Sequence, residues 1–333
     1  MKQVRILDTD EISGLSGLIR IPVSRYSLRS PDQISSAIFS EIHETACGKD
    51  NFVAALDENG TITAFGVCKK AEVESEVFRK RVFSLSCLVS GGRYRSSVTN
   101  KTRLLRFLKS GTGDCIDMLS CRVSAGDHSS IHALEGQAFR HMDSLVTYTA
   151  ELPCRTDRAA HPFCSARLFR DRDLPEIRRI AQCAFSLDRY HTDPRIPKEQ
   201  SDELYGRFAE NAARGIGADT IMVAVHRNRV IGFNTMDLNN HNATRSGVRI
   251  ASFVLNAVSP EYRNRGVYTG LIHESLRYCN GKADYVEIRT HIDNYPVHRV
   301  LPGFGFRATA SYLTFHRWNS GERKKPRIRG SSA

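Results

Sequence analysis

Apolar residues recur at helical spacing where the second half of the chain begins. Leu174, Ile177, Ala181 and Ala184 keep one face, and Asp173 with Glu176 three residues on forms a capping-box start. After a polar loop at 189–194, Leu204, Phe208 and Ala212 mark a second helix ending at Gly215. Runs at 220–225 and 230–238 flank a polar turn and predict a hairpin. A longer strand is expected over 249–258, then a polar loop over 259–265. Gly266 opens a helix with Ile272, Leu276 and Cys279 aligned, closed by Asn280-Gly281. A strand at 285–292, a short helix near 296–301 and a last strand at 311–318 complete an α+β domain around a mixed sheet.

The same pattern occurs twice. Displacing the chain by 167 residues sets Asp117 on Asp284, Arg122 on Arg289, Asp127 on Asn294 and Leu134 on Leu301. Gly136 meets Gly303, Phe139-Arg140 meets Phe306-Arg307, Ser144 meets Ser311 and Thr147 meets Thr314, without a gap. A shift of half the chain predicts two copies of one fold. The expected organisation is a degenerate domain over 1–152, a linker over 153–163, a complete domain over 164–319 and a basic, disordered tail over 320–333.

Composition adds little until charge is located. The 333 residues are 41% hydrophobic and 25% charged, with no apolar run of the roughly 18 residues a membrane helix needs. Nine cysteines without a CxxC pair predict reduced thiols in a cytoplasmic protein, not a disulfide framework or a metal site. The net charge is +12. Six basic residues and no acid stand between Gly91 and Gly113, and five more lie in the tail, at Arg323, Lys324, Lys325, Arg327 and Arg329. Such clusters attract phosphates or RNA, but a solvated surface with a disordered basic tail gives the same pattern.

The strongest chemical signal is Val258-Ser259-Pro260-Glu261-Tyr262-Arg263-Asn264-Arg265-Gly266-Val267-Tyr268. A strand ends, two arginines follow, and a glycine sits where a helix begins, which suits a pyrophosphate. This segment resembles the acyl-CoA loop of the GNAT superfamily of N-acyltransferases, whose pattern is Gln/Arg-x-x-Gly-x-Gly/Ala. Arg263 fills the first position and Gly266 the central one, while Tyr268 departs from the last. Asn294-Tyr295-Pro296-Val297, running to Gly305-Phe306, resembles the superfamily's second signature. Arg189-Tyr190-His191-x-Asp193-Pro194 and Leu313-Thr314-Phe315-His316-x-Trp318 resemble the TDP-fucosamine (TDP-amino-sugar) acetyltransferases.

The resemblance implies two tandem GNAT-like domains, each a mixed, mostly antiparallel sheet flanked by helices. It implies acetyl-CoA as acyl donor, no metal, and a small primary amine as acceptor, foremost a nucleotide-linked amino sugar. An aminoacyl, peptide or protein amine is the alternative, as is tRNA-dependent aminoacyl transfer, in which RNA would be the partner of the basic clusters. The donor would be held by Ala257, Val258, Arg263, Asn264, Arg265, Gly266, Val267, Tyr268 and Asn294, with the Val258 N–H polarising the thioester. Leu301 stands where many members carry a general-acid tyrosine, so Tyr295, His298 and His291 are candidate substitutes, and Glu287 and Asp293 candidate bases. Arg189, Tyr190, His191 and Asp193 are the expected acceptor contacts. In the first copy Thr99 replaces the loop glycine, and no donor site is expected there.

Overall fold

A computed structural model describes residues 2–18, 50–110, 116–154, 163–238 and 248–319, with a few positions between 39 and 48. The expected tail and most of the linker lie outside the described residues. The first half runs β1 (Lys2–Ile6), a 3₁₀ segment (Thr9–Leu18), β2 (Phe52–Glu58), β3 (Thr61–Lys70), α1 (Glu72–Phe78) and β4 (Val82–Ser90). It continues with α2 (Tyr94–Ser110), β5 (Met118–Ser124), α3 (His128–Glu135) and β6 (Arg140–Glu151). The second half runs β7 (Ser165–Leu168), α4 (Leu174–Ala184), α5 (Lys198–Ala213), β8 (Thr220–His226), β9 (Arg229–Asp237) and β10 (Ile250–Val258). It ends with α6 (Val267–Cys279), β11 (Tyr285–His291), α7 (Tyr295–Val300) and β12 (Arg307–Trp318).

Local chemistry repeats with the sequence. The β2–β3 turn carries Asn59 and Gly60 at φ 56° and 83°, and the β8–β9 turn carries Arg227 and Asn228 at 48° and 63°. Two consecutive left-handed residues give the turn whose twist matches paired strands. Arg81 holds Asp117 through its backbone N–H and guanidinium, and Arg249 holds Asp284 in the same way. One expected detail moves. Asp173 makes no side-chain cap on α4; its carboxylate accepts the Arg170 N–H at 2.9 Å and pairs with Arg167 at 2.6 Å, one turn earlier.

The two halves share one mixed sheet, ordered β1-β2-β3-β4-β5-β12-β6-β11-β10-β9-β8-β7. Reading the order from either end gives the same sequence of equivalent strands. The last strand of each half lies inside the other: β12 sits between β5 and β6, and β6 between β11 and β12. Residues that reveal the repeat bond across this exchange. Arg122 Nε donates to Thr314 Oγ1 at 3.1 Å, and Arg289 Nε donates to Thr147 Oγ1 at 3.2 Å. Residue i of one half thus meets residue j of the other and the reverse, the signature of a two-fold contact.

The sheet buries both faces. On one, α2 and α3 cover the first half around Leu85, Leu104, Leu119 and Leu134, and α6 covers the second around Ile272, Val286 and Phe304. On the other, α4 and α5 pack against residues of both halves, Phe78 and Met118 among them. The basic run over 93–109 is largely the solvated side of α2: Arg93, Arg95, Arg106 and Lys109 are exposed while Leu104, Leu105 and Leu108 are buried.

Candidate active site

Strands β10 and β11 pair in parallel only from Ile250 to Phe253 against Tyr285 to Ile288, and then part. A bulge between Phe253 and Asn256 on β10 turns the strand at that point. Beyond it, Leu255 N–H donates to Thr235 Oγ1 on β9, and Ser259 N–H donates to the Ile231 carbonyl. Donors alternate along a strand, so the N–H groups of Asn256 and Val258 face the opening. Val254, at its edge, is 55% exposed.

The opening widens into a cleft of about 1190 Å³. Ala257, Val258, Arg263, Asn264, Gly266, Val267, Tyr268 and Asn294 line it, as do Glu287 and His291. At its mouth, Asn264 and Gly266 adopt φ 60° and 73°, and Gly266 is the N-cap of α6. Left-handed residues flanking a helix start gather backbone N–H groups into a concave cradle, reinforced by the helix dipole. An acyl-CoA pyrophosphate fits this donor set. Arg263 crosses the mouth to the Ala184 carbonyl at the end of α4, 2.9 Å away. Arg265 turns aside, its guanidinium 5.4 Å from the Phe163 ring centroid, and is not on the cleft lining.

The first half winds this loop into helix. Residues 96–99, equivalent to 263–266, belong to α2, and Thr99 Oγ1 donates to the Arg95 carbonyl. Lys101, equivalent to Tyr268, drives its ammonium inward to Asp127 at 3.2 Å and Ser130 Oγ at 2.7 Å.

The other candidates divide. Tyr295 is 60% exposed and lies off the cleft lining. Leu301 is buried in the apolar core under α6, so its position offers the cleft no group of any kind. His298 bonds to Tyr148 at 3.0 Å and to backbone carbonyls, and Asp293 N–H donates to His291 Nδ1. Of the acceptor candidates, Arg189 and Tyr190 line the cleft; His191 and Asp193 do not. Asp193 is buried and receives bonds from His316 Nδ1 at 2.9 Å and Trp318 Nε1 at 2.8 Å. Arg189 donates to Tyr190, whose hydroxyl donates to Glu74 on α1.

His191 is held between Asp188 at 2.5 Å and Asp202 at 3.0 Å. Burial disfavours its charge, but the two carboxylates outweigh burial and raise its pKa above the usual 6.5. A histidine raised on folding stabilises the fold fully below its unfolded pKa, and that stability is lost as pH rises through the folded value. The gap in unfolding free energy between the protein and His191→Gln is therefore expected to shrink as pH climbs from about 6.5. Denaturant titrations across pH 5.5 to 8.5 measure it, and a constant gap refutes the assignment.

Sequence reading passed over what the first half brings to the cleft: Val73, Arg122, Asp143, Leu145 and Thr147. Arg122 is half-buried, and its pKa is pushed down to about 10 by burial and by the charges of Arg189 and Arg289.

A parted pair of parallel strands, a left-handed glycine at a helix start and a cleft between them define an acyl-CoA-dependent fold. Residues 174–306 match the family model described as Acetyltransferase (GNAT) family, so the second half of the chain carries a domain similar to that family. It is an acyl-CoA-dependent N-acetyltransferase. Among known proteins, the spore coat polysaccharide biosynthesis protein SpsD of Bacillus subtilis is 24% identical over 275 residues, covering 82% of this chain and 90% of SpsD. A GCN5-related N-acetyltransferase from Sphaerobacter thermophilus shares the fold at a TM-score of 0.62 and 13% identity, over 95% of each chain. A tandem GNAT protein from the clavulanic acid biosynthesis pathway does so at 0.58 and 12% identity, over 100% of each chain. Among the described residues no helix is long and apolar enough to cross a membrane, and no group of side chains is arranged to hold a metal.

Proposed function

We propose that the protein acetylates the primary amine of a nucleotide-linked amino sugar, using the single donor site of its second half. The observation that carries the donor side is the parting of β10 from β11 beside the Gly266 cradle. The pyrophosphate of acetyl-CoA would lie on the amides near Gly266, with the thioester carbonyl accepting from the Val258 N–H. The uncharged amine attacks the carbonyl carbon, the C–N bond forms, and the tetrahedral intermediate collapses with release of the CoA thiolate. The amine proton passes to a base, for which Glu287 on the cleft wall is the candidate. Holding both reactants in line supplies much of the rate, and the Val258 amide stabilises the oxyanion. A thiol with a reference pKa near 8.5 leaves tolerably without a general acid, consistent with the buried Leu301.

For the acceptor, support comes from Arg189 and Tyr190 on the cleft wall and from the similarity to a protein named for polysaccharide biosynthesis. The test measures CoA release from acetyl-CoA with amino sugars, their nucleotide-linked forms, polyamines, amino acids and aminoacyl-tRNA. A kcat/KM for a nucleotide-linked amino sugar at least about tenfold above the rest supports the reading. Preference for aminoacyl-tRNA, with a steep salt slope, sinks it.

A further inference from the structure

The cleft carries more positive charge than the donor chemistry uses. Arg122 on β5 and Arg289 on β11 occupy equivalent places in the two halves and line this cleft. Each spends its Nε on a threonine of the adjacent exchanged strand, so both lean toward the centre of the sheet. Arg289 also lies over the Tyr312 ring at 5.0 Å. Among the described residues neither guanidinium has a carboxylate within ion-pair distance, so their terminal nitrogens remain available. Arg289 is exposed, whereas the half-buried Arg122 guanidinium is costly unless an anion meets it.

The neighbours set the shape of the ligand. Thr314 pairs with Asp143 in the β12–β6 ladder, and Thr147 pairs with Ala310. Along β6 these positions are four residues apart, about 13 Å. From these positions the two arginines lean toward one another, near enough for the charge of Arg289 to act on Arg122, so a group entering between them meets both. Asp143 breaks the symmetry of the halves, since its equivalent is Ala310. Its Oδ2 accepts the Arg189 N–H at 3.1 Å, while its buried Oδ1 has no partner. A carboxylate oxygen whose charge acts on Arg122 and Arg189 suits a hydroxyl or amine donor attached to an anionic chain.

We propose that Arg122 and Arg289 bind the acidic portion of the acceptor, a diphosphate or carboxylate beyond the reacting amine, so that the half without a donor site shares in selecting the acceptor. This rests on the proposed function only in taking the acceptor to enter this cleft. Arg122 and Arg289 are specificity residues, and guanidinium is the side chain whose fork matches such oxyanions.

The experiment titrates thymidine diphosphate into protein saturated with CoA, which keeps the probe off the Gly266 cradle. Arg122→Gln and Arg289→Gln are each expected to weaken binding about tenfold to a hundredfold, with CoA affinity unchanged. Thr314→Val and Thr147→Val break the same cross-strand bonds and keep both guanidiniums, so they are expected to bind the probe within about threefold of the parent. Citrate, titrated alongside, separates the sources: stronger binding than the nucleotide assigns the subsite to a carboxylate acceptor, weaker binding to a phosphorylated one. The proposal falls if the parent binds neither probe, if the glutamine variants bind as the parent does, or if the valine variants lose as much as the glutamine ones. Retained, arginine-dependent binding with no acetylation of any nucleotide-linked amino sugar would leave the subsite standing and remove the acceptor reading alone.

Discussion

Replacing Gly266 by glutamate is expected to abolish acetyl-CoA binding, with affinity falling at least about a hundredfold and turnover with it. Two effects add. Gly266 sits at φ 73°, and an L-residue in that region costs about 1–2 kcal/mol. The new carboxylate also projects into the amide cradle at the start of α6, where it takes the place of the pyrophosphate and repels it. Thr99→Glu, at the equivalent place in the first half, supplies the contrast. Thr99 is an exposed residue inside α2, so its substitution is expected to leave acetyl-CoA binding unchanged. Calorimetry on the parent is expected to give one acetyl-CoA per chain. Two equivalent sites, or near-parental affinity in Gly266→Glu, would overturn the assignment of a single donor site.

The strand–loop–helix turn at Gly266 was legible because its determinants are local. A glycine at a left-handed helix start, and a polar loop between a strand and a helix, both register in a short window of sequence. The hairpin turn at 227–228 was legible as a polar gap between two strand runs, and the structure puts its counterpart at Asn59-Gly60. The exchange of β6 and β12 was not. A displacement of 167 residues says that Thr147 and Thr314 are alike, and that Arg122 and Arg289 are alike, but a threonine could meet the arginine of either half. The antiparallel ladder accepts both arrangements, and three-dimensional packing chooses. The same exchange carries β6 and its Asp143 and Thr147 into the cleft of the second half.

The loop at 189–194 shows a different limit. Its mixed polar composition suits ligand contact and scaffold equally, and the backbone decides which side chains reach the cleft. Arg189 and Tyr190 do, whereas His191 turns to Asp188 and Asp202, and Asp193 to the end of β12. The motif ending in His316 and Trp318 therefore has a structural account: those two side chains hold Asp193. Charge within strands was the signal passed over. A half-buried arginine within β5 is expensive, and with the exposed Arg289 of β11 it marked the cleft.

Asp193→Ala is expected to cost about 3–5 kcal/mol of stability, lowering Tm on the order of 10 °C. The carboxylate is buried, and besides His316 and Trp318 it accepts the Arg195 N–H at 3.0 Å. Burial disfavours its charge, yet the bonds from His316 and Trp318 prevail, and its pKa lies below the usual carboxylate range. Removal strands one buried and one half-buried donor on β12, one of the two strands that link the halves. Asp193→Asn keeps the volume and one acceptor, so it is expected to recover part of the loss. Because the donor cradle lies on a different loop, acetyl-CoA affinity below the melting transition is expected to stay within about twofold of the parent. A Tm within about a degree of the parent would show that Asp193 is not the anchor of this loop. A selective loss of acceptor turnover with stability intact would return Asp193 to the acceptor site.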